Sequence, residues 1–345
     1  MWSPAQTVKV SAPARRGTTG RVLRVGTYSV ALLALVELIR NADLHGVAGA
    51  IGRTGPLSAV VVLPFGIQML LEAESWRLLL GRLGHRVSWT VSLRATMSAE
   101  AVRMCFPGGS AVADGLRPVI FKRQGGVPLG VATSALAVRK LCHIGSEGAF
   151  SAIGLALGSS LFARWVKDLG SRGPQLFVAA AVVSLALVGA GVALALLLLH
   201  GSVASRAERL LTRLTRGRLF SFLEARRSRY AAFDDSFRAL LGCSLLAANA
   251  ATALAGWLLD GVETFVILAL LGAPVAFGEA VLLEACVAVV RAIAFAVPGG
   301  LGVQDLSYHT LLRGFVGEPA ALGFVLMKRA RDVVWIIVGL VLKPI

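Results

Sequence analysis

Apolar residues run along this chain in blocks too long for an ordinary soluble helix. Crossing the roughly 30 Å hydrocarbon core of a bilayer takes about 20 mostly apolar residues. Blocks of that kind occupy residues 22–40, 56–80, 128–160, 175–200, 239–271 and 319–342, and 173–199 carry no charge at all. Two further apolar stretches, 88–121 and 279–315, are interrupted near the middle by Pro-Gly-Gly. A helix does not run straight through that triplet, because proline removes a donor and paired glycines favour a turn. In lipid such a break is tolerated only where protein or a water-filled cavity covers the freed backbone. Both stretches are therefore predicted to be helical hairpins that enter the membrane and turn back.

The two breaks are copies of one another. The first reads PGGSAVAD (Pro107, Gly108, Gly109 to Asp114) and the second PGGLGVQD (Pro298, Gly299, Gly300 to Asp305), 191 positions apart. The same offset carries Val112 onto Val303, Gly126 onto Gly317, Pro128 onto Pro319 and Lys140 onto Arg331. Upstream, Leu83-Gly84-x-x-Val87-x-Trp89 resembles Leu271-Gly272-x-x-Val275-x-Phe277, three residues out of phase. Oily chains produce chance matches in Leu, Val and Ala, but rarely align two Pro-Gly-Gly triplets, two acids and two further prolines. A duplication follows.

Composition sharpens this picture. Of 345 residues, 56% are hydrophobic and 16% charged, with a mean hydropathy of +0.74. Charge is scarce yet lopsided, with 35 Lys and Arg against 19 Asp and Glu and a net +16. A nucleic-acid binder, a disordered chain or a cytosolic enzyme needs more polar surface than this. The cations belong instead to loops on the cytoplasmic face of a polytopic membrane protein. Residues 201–238 hold nine arginines and four acids, Arg77, Arg82, Arg86 and Arg94 mark a second such loop, and Lys122-Arg123 a third. With both termini inside, each half then contributes three spans and one hairpin, in opposite orientations. That is an inverted-topology repeat, as in many transporters. The outer loop with Arg164, Lys167, Asp168 and Arg172 is net basic and runs against this count. The expected divisions are a basic N-terminal segment 1–21, a first membrane repeat 22–162, and a second repeat 175–345 containing the basic loop 201–238. The basic N-terminus (Lys9, Arg15, Arg16, Arg21, Arg24) and the apolar run after it read as a first span; a cleaved signal peptide ending near Ala48-x-Ala50 is the other reading.

Ionisable residues at membrane depth are costly and usually face a cavity. Here they cluster around the breaks: Glu100, Arg103, Asp114, Arg117, Arg139, Lys140, His143 and Glu147 in the first half. The second half has Glu284, Arg291, Asp305, His309, Lys328, Arg329, Arg331 and Asp332. Broken tips meeting near the midplane would present helix N-termini and free N–H groups to an anion, for which phosphate is the natural candidate. Arginines and lysines beside them would add charge-assisted bonds. The competing reading is that these charges pair among themselves and glue helices, with Arg139-Lys140 and the Lys328 to Arg331 group snorkelling to an interface. His143 and His309 have no partner at a metal spacing and read as hydrogen-bonded core residues. Cys105, Cys142, Cys243 and Cys286 read as small hydrophobes. The stretch from Arg206 to Arg238 fits either an amphipathic helix on anionic lipid or a solvated connector. Walker A, GxSxG and HExxH motifs are absent, and the longest loop, about 38 residues, is too short for a nucleotide or aminoacyl-transfer site.

At the hairpins the chain resembles flippase-like integral membrane proteins related to the transmembrane part of lysylphosphatidylglycerol synthase. FAVPGGLGVQD (from Phe295 to Asp305), Gly317-Glu318-Pro319 and LMKRARDVVW (from Leu326 to Trp335) look most like the subgroup associated with hopanoid biosynthesis. The first copy, CFPGGSAVADGLRPVIFKRQG, follows the family's Gly-Gly-acid-x-x-Arg pattern through Gly108, Gly109, Asp114 and Arg117 more loosely, and Asp305 stands where the resemblance leads one to expect Glu. The resemblance implies translocation of a lipid between leaflets.

The expectation is thus an all-α polytopic inner-membrane protein of a bacterium, with six spans and two re-entrant hairpins, moving an amphiphilic lipid through a central polar cavity. The expected lining is Glu100, Pro107, Gly108, Gly109, Asp114, Arg117, Arg139, Lys140, Arg291, Pro298, Gly299, Gly300, Asp305, Lys328, Arg329 and Arg331. No catalytic residue, metal, cofactor or nucleic acid is expected. Expected partners are the lipid itself, the anionic lipid surface and lipid-biosynthetic enzymes. The rival readings are an intramembrane lipid-modifying transferase, with Glu100, Asp114 or His143 as base, and a scaffold for such enzymes.

Overall fold

The computed structural model describes residues 54–106, 108–168, 239–293 and 300–342, with Gly52, Val182, Leu185, Ala186, Gly189, residues 235–237 and Val297 besides. The spans expected at 22–40 and 175–200, the turn residues Pro107, Pro298 and Gly299, and nearly all of the basic stretch 206–238 lie outside the described residues.

A 3₁₀ turn, Gly55–Val61, leads into α1 (Val62–Arg82). Then come α2 (Trp89–Cys105), α3 (Gly109–Gly125), α4 (Leu129–Leu157) and α5 (Ser159–Asp168). After the gap follow α6 (Cys243–Leu270), α7 (Phe277–Ile293), α8 (Val303–Val316) and α9 (Glu318–Val341), and no strand occurs among the described residues. Among the described residues the predicted apolar blocks thus end within about four residues of observed helices, except that the block at 128–160 is broken by Gly158 into α4 and α5, and α5 runs on to Asp168 through part of the expected outer loop.

Helix lengths repeat across the gap. From α1 to α4 they are 21, 17, 17 and 29 residues, and from α6 to α9 they are 28, 17, 14 and 24. At 1.5 Å per residue the broken arms α2, α3, α7 and α8 reach about 21–26 Å, whereas α4, α6 and α9 reach about 36–44 Å. Helices α1 and α6 are closed by the same turn. Gly84 and Gly272 adopt φ +82° and +74°, a left-handed conformation natural to glycine. The Gly84 N–H donates to Gly81 (3.0 Å) and His85 to Leu80 (2.9 Å); Gly272 donates to Ala269 (3.1 Å) and Ala273 to Leu268 (2.9 Å).

The halves interlock. Helix α2 packs on α9 and α4 packs on α7, while α1 lies along α6. Glycines allow these close approaches: a Cβ at Gly339 of α9 would sit 2.8 Å from the Ala101 Cβ of α2. One at Gly158, just past α4, would sit 2.8 Å from the Gly278 carbonyl oxygen of α7. Apolar cores form around Trp76 and Phe121 in the first half and around Tyr308 and Phe324 in the second. Among the described residues, Gly55–Arg82 and Ser244–Leu270 are long and apolar enough to cross a membrane by composition alone. The helices α4 and α9 have the length but carry ionised residues at mid-length, and those residues lead to the site.

Candidate functional site: a charge-balanced cavity between the two breaks

A cavity of about 430 Å³ opens between the halves. Gly109 and Ser110, at the start of α3, form part of its wall, and so do Val297, Gly300 and Gln304 at the approach to α8. Both chain breaks therefore reach one space. The first break turns on Gly108 in the left-handed region, φ +61°. Its neighbour Gly109 must also lack a side chain, since a Cβ there would overlap the carbonyl of Arg103 at the end of α2.

Of the residues expected to line this space, Glu100, Gly109, Asp114, Arg117, Arg139, Lys140, Arg291, Gly300 and Arg331 do so. Asp305, Lys328 and Arg329 do not reach the wall. Asp305 is buried, where its carboxylate accepts from the Gly302 N–H at 2.9 Å and binds Arg329 at 2.7 Å. It thereby caps the N-terminus of α8, so the helix end expected to hold an anion is neutralised by its own chain. Lys328 is likewise buried, held by Glu284 at 2.7 Å and Glu263 at 3.4 Å. Gly108 shapes the turn without lining the cavity.

The charges on the wall pair extensively, so much of the helix-gluing alternative holds. Glu72 receives Arg139 at 2.9 Å and Arg117 at 3.1 Å. Asp114 receives Lys140 at 2.8 Å and Arg117 at 3.0 Å, and Glu100 holds Arg103 one turn away. In the second half Arg331 forks onto Glu263 at 2.7 and 2.9 Å and also reaches Asp332 at 3.1 Å. Among the described residues the wall carries six acids (Glu72, Glu100, Asp114, Glu147, Asp260, Asp332) against six bases (Arg103, Arg117, Arg139, Lys140, Arg291, Arg331). The cationic site anticipated from the sequence is electrically balanced.

Several residues of the site escaped the sequence reading, chiefly the ion-pair partners Glu72 and Glu263 and the cavity-lining Trp257 and Asp260. Glu72 and Glu263 carry a signal that would have found them: they too stand 191 positions apart. Glu72 on α1 binds Arg139 of α4, and Glu263 on α6 binds Arg331 of α9. Of the two histidines, His309 bonds Glu318 at 2.6 Å, while His143 stacks on Trp257 at 5.0 Å and lines the cavity. No group of three His, Cys, Asp or Glu suited to a metal ion occurs among the described residues.

No curated protein matches the chain. The family model for the lysylphosphatidylglycerol synthase TM region matches residues 22–340, nearly its whole length, and the chain belongs to that transmembrane, lipid-related family.

Proposed function

We propose that this protein moves an amphiphilic lipid (a phospholipid, aminoacyl-lipid or hopanoid-like molecule) across or out of a bacterial inner membrane. The polar head passes through the cavity and the tails stay in lipid. The observation that carries this reading is the opening of both Pro-Gly-Gly breaks onto one polar cavity. Such freed backbone is tolerated at membrane depth where it lines a cavity. The broken arms, about 21–26 Å long at 1.5 Å per residue, fall short of the roughly 30 Å hydrocarbon core, which supports re-entrant hairpins within an inverted repeat. A cavity lined by twelve charged side chains spares a polar head the cost of the bilayer interior. The wall's acids are mostly engaged by arginines and lysines, an arrangement that suits holding a charged head better than general-base chemistry, so the reading is non-enzymatic.

Filling the cavity tests this directly. Ser110 faces the cavity, whereas Val112 on the same helix is exposed away from it. In proteoliposomes, Ser110→Trp is expected to slow movement of a labelled phospholipid by about tenfold, the loss expected from one blocked polar contact. Val112→Trp is expected to leave it unchanged. Undiminished flux through correctly folded Ser110→Trp would sink the transport reading.

A further inference from the structure

The charged groups on the cavity wall divide into two sets. One set is engaged in ion pairs: Glu72, Asp114, Arg117, Arg139 and Lys140 pair with one another, and Arg331 pairs with Glu263 behind the wall. The other set is Arg291 with Asp260 and Glu147, and the Glu147 carboxylate on α4 makes no hydrogen bond or ion pair among the described residues. Asp260, one helical turn after Trp257 on α6, is 8% exposed and lines the cavity, yet its carboxylate makes no hydrogen bond or ion pair among the described residues. An unpaired buried carboxylate is expensive, and proteins retain one where a partner arrives from outside. Across from it on α7, the Arg291 guanidinium lies 5.6 Å from the Trp257 ring centre. Arg291 makes no hydrogen bond among the described residues, and its nearest acid, Glu284, is 3.9 Å away and already held by Tyr308 and Lys328. Asp260 and Arg291 make no direct ion pair with each other, although each lies in the other's field. Trp257 itself is fixed by stacking on His143 and Phe150, at 5.0 and 5.6 Å.

We propose that Asp260, Arg291 and Trp257 form the head-group subsite of the cavity, and that it takes a zwitterionic lipid head, anionic phosphate on Arg291 and primary ammonium on Asp260. This deepens the transport reading and rests on it. A purely anionic head would satisfy Arg291 but leave Asp260 unpaired beside an added negative charge. A purely cationic head would do the reverse. A head with both charges gives Arg291 an anion with free oxygens and gives the unpaired carboxylates a cation. The guanidinium offers planar, paired donors to phosphate, and the carboxylate offers acceptors to the three N–H bonds of an ammonium.

The test uses the full-length protein equilibrated with vesicles of equal parts phosphatidylethanolamine and phosphatidylglycerol, with retained lipids read by native mass spectrometry. The wild type is expected to retain phosphatidylethanolamine over phosphatidylglycerol by about tenfold, the loss attending one charged hydrogen bond. Asp260→Asn is expected to erase that preference, Asp260→Glu to keep it, and Arg291→Gln to weaken retention of both lipids. The glutamate variant keeps the test decisive should the asparagine variant not fold. Equal retention by the wild type, or an unchanged preference in Asp260→Asn, overturns the proposal. So does an Asp260→Asn protein that keeps its preference but no longer responds to a pH gradient, since Asp260 would then carry a proton. If flux depends on Ser110 but not on the head group, the transport reading stands and the subsite alone falls.

Discussion

At the scale of single residues, the largest energetic stake lies in charges buried with their partners. Glu263 is almost wholly buried and holds both Lys328 and Arg331, themselves buried. Removing one partner of such a group leaves uncompensated charge, which costs about 3–5 kcal/mol. Glu263→Gln is therefore expected to lower the unfolding temperature in detergent sharply. Glu74 also pairs with Arg77, but the two are 40% and 34% exposed. An exposed pair contributes about 0–1 kcal/mol, so Glu74→Gln is expected to change the melting temperature little. Comparable losses in the two variants would contradict the assignment of Glu263 as the anchor of α9. This pairing was partly legible, since the 191-residue offset joins Glu72 to Glu263. The vacancy at Asp260 was not, because a carboxylate is unpaired only by virtue of what its neighbours in space are doing.

At the scale of helices, apolar block length and the Pro-Gly-Gly triplets located the described helices to within a few residues, except α5, which occupies the start of the expected outer loop. Periodicity said less about which helix meets which. Small residues decide that here: α9 approaches α2 at Gly339, and α4 approaches α7 at Gly154 and Gly158. In lipid, such close backbone contacts replace the hydrophobic drive that holds soluble helices together. Forcing a side chain into a packed crossing costs about 1–3 kcal/mol, and Gly339→Leu is expected to destabilise the protein by that amount and to loosen α9 from α2. At Gly130, in the first turn of α4, a Cβ would meet nothing within 4 Å. Gly130→Ala should accordingly stay within about 0.5 kcal/mol of the parent. Chemical unfolding of the two variants side by side checks both, and equal stability would mean that α2 and α9 do not meet at Gly339.

At the scale of the whole molecule, the balance of charge around the cavity matters more than any one pair. Six acids face six bases, so neutralising one group shifts the field felt by every head that enters. Asp114 and Lys140 are a pair on the wall, 2.8 Å apart. Asp114→Asn alone leaves the cavity net positive and is expected to raise phosphatidylglycerol flux relative to phosphatidylethanolamine by about threefold, a fraction of a kcal/mol in a partly screened site. Lys140→Gln is expected to shift the ratio the other way, and the double variant to restore it. Ratios that ignore all three variants would show that net charge does not govern selection.

What the sequence determined by itself follows from quantities that are local or additive. Hydropathy demands a bilayer because no polar surface can be built from this composition. Two Pro-Gly-Gly triplets demand two breaks because proline and glycine act on their own backbone. A constant offset reveals a duplication wherever it occurs. The tertiary structure alone decided which of the many buried charges are spent and which are free. Asp305 was spent on the end of its own helix, Lys328 on two glutamates behind the wall, and Arg117 and Arg139 on Glu72. Electrostatic pairing falls off with distance through space and is indifferent to distance along the chain. For that reason, only the packing of α4, α6 and α7 set Arg291 beside Trp257 and left Asp260 without a hydrogen bond or ion pair among the described residues.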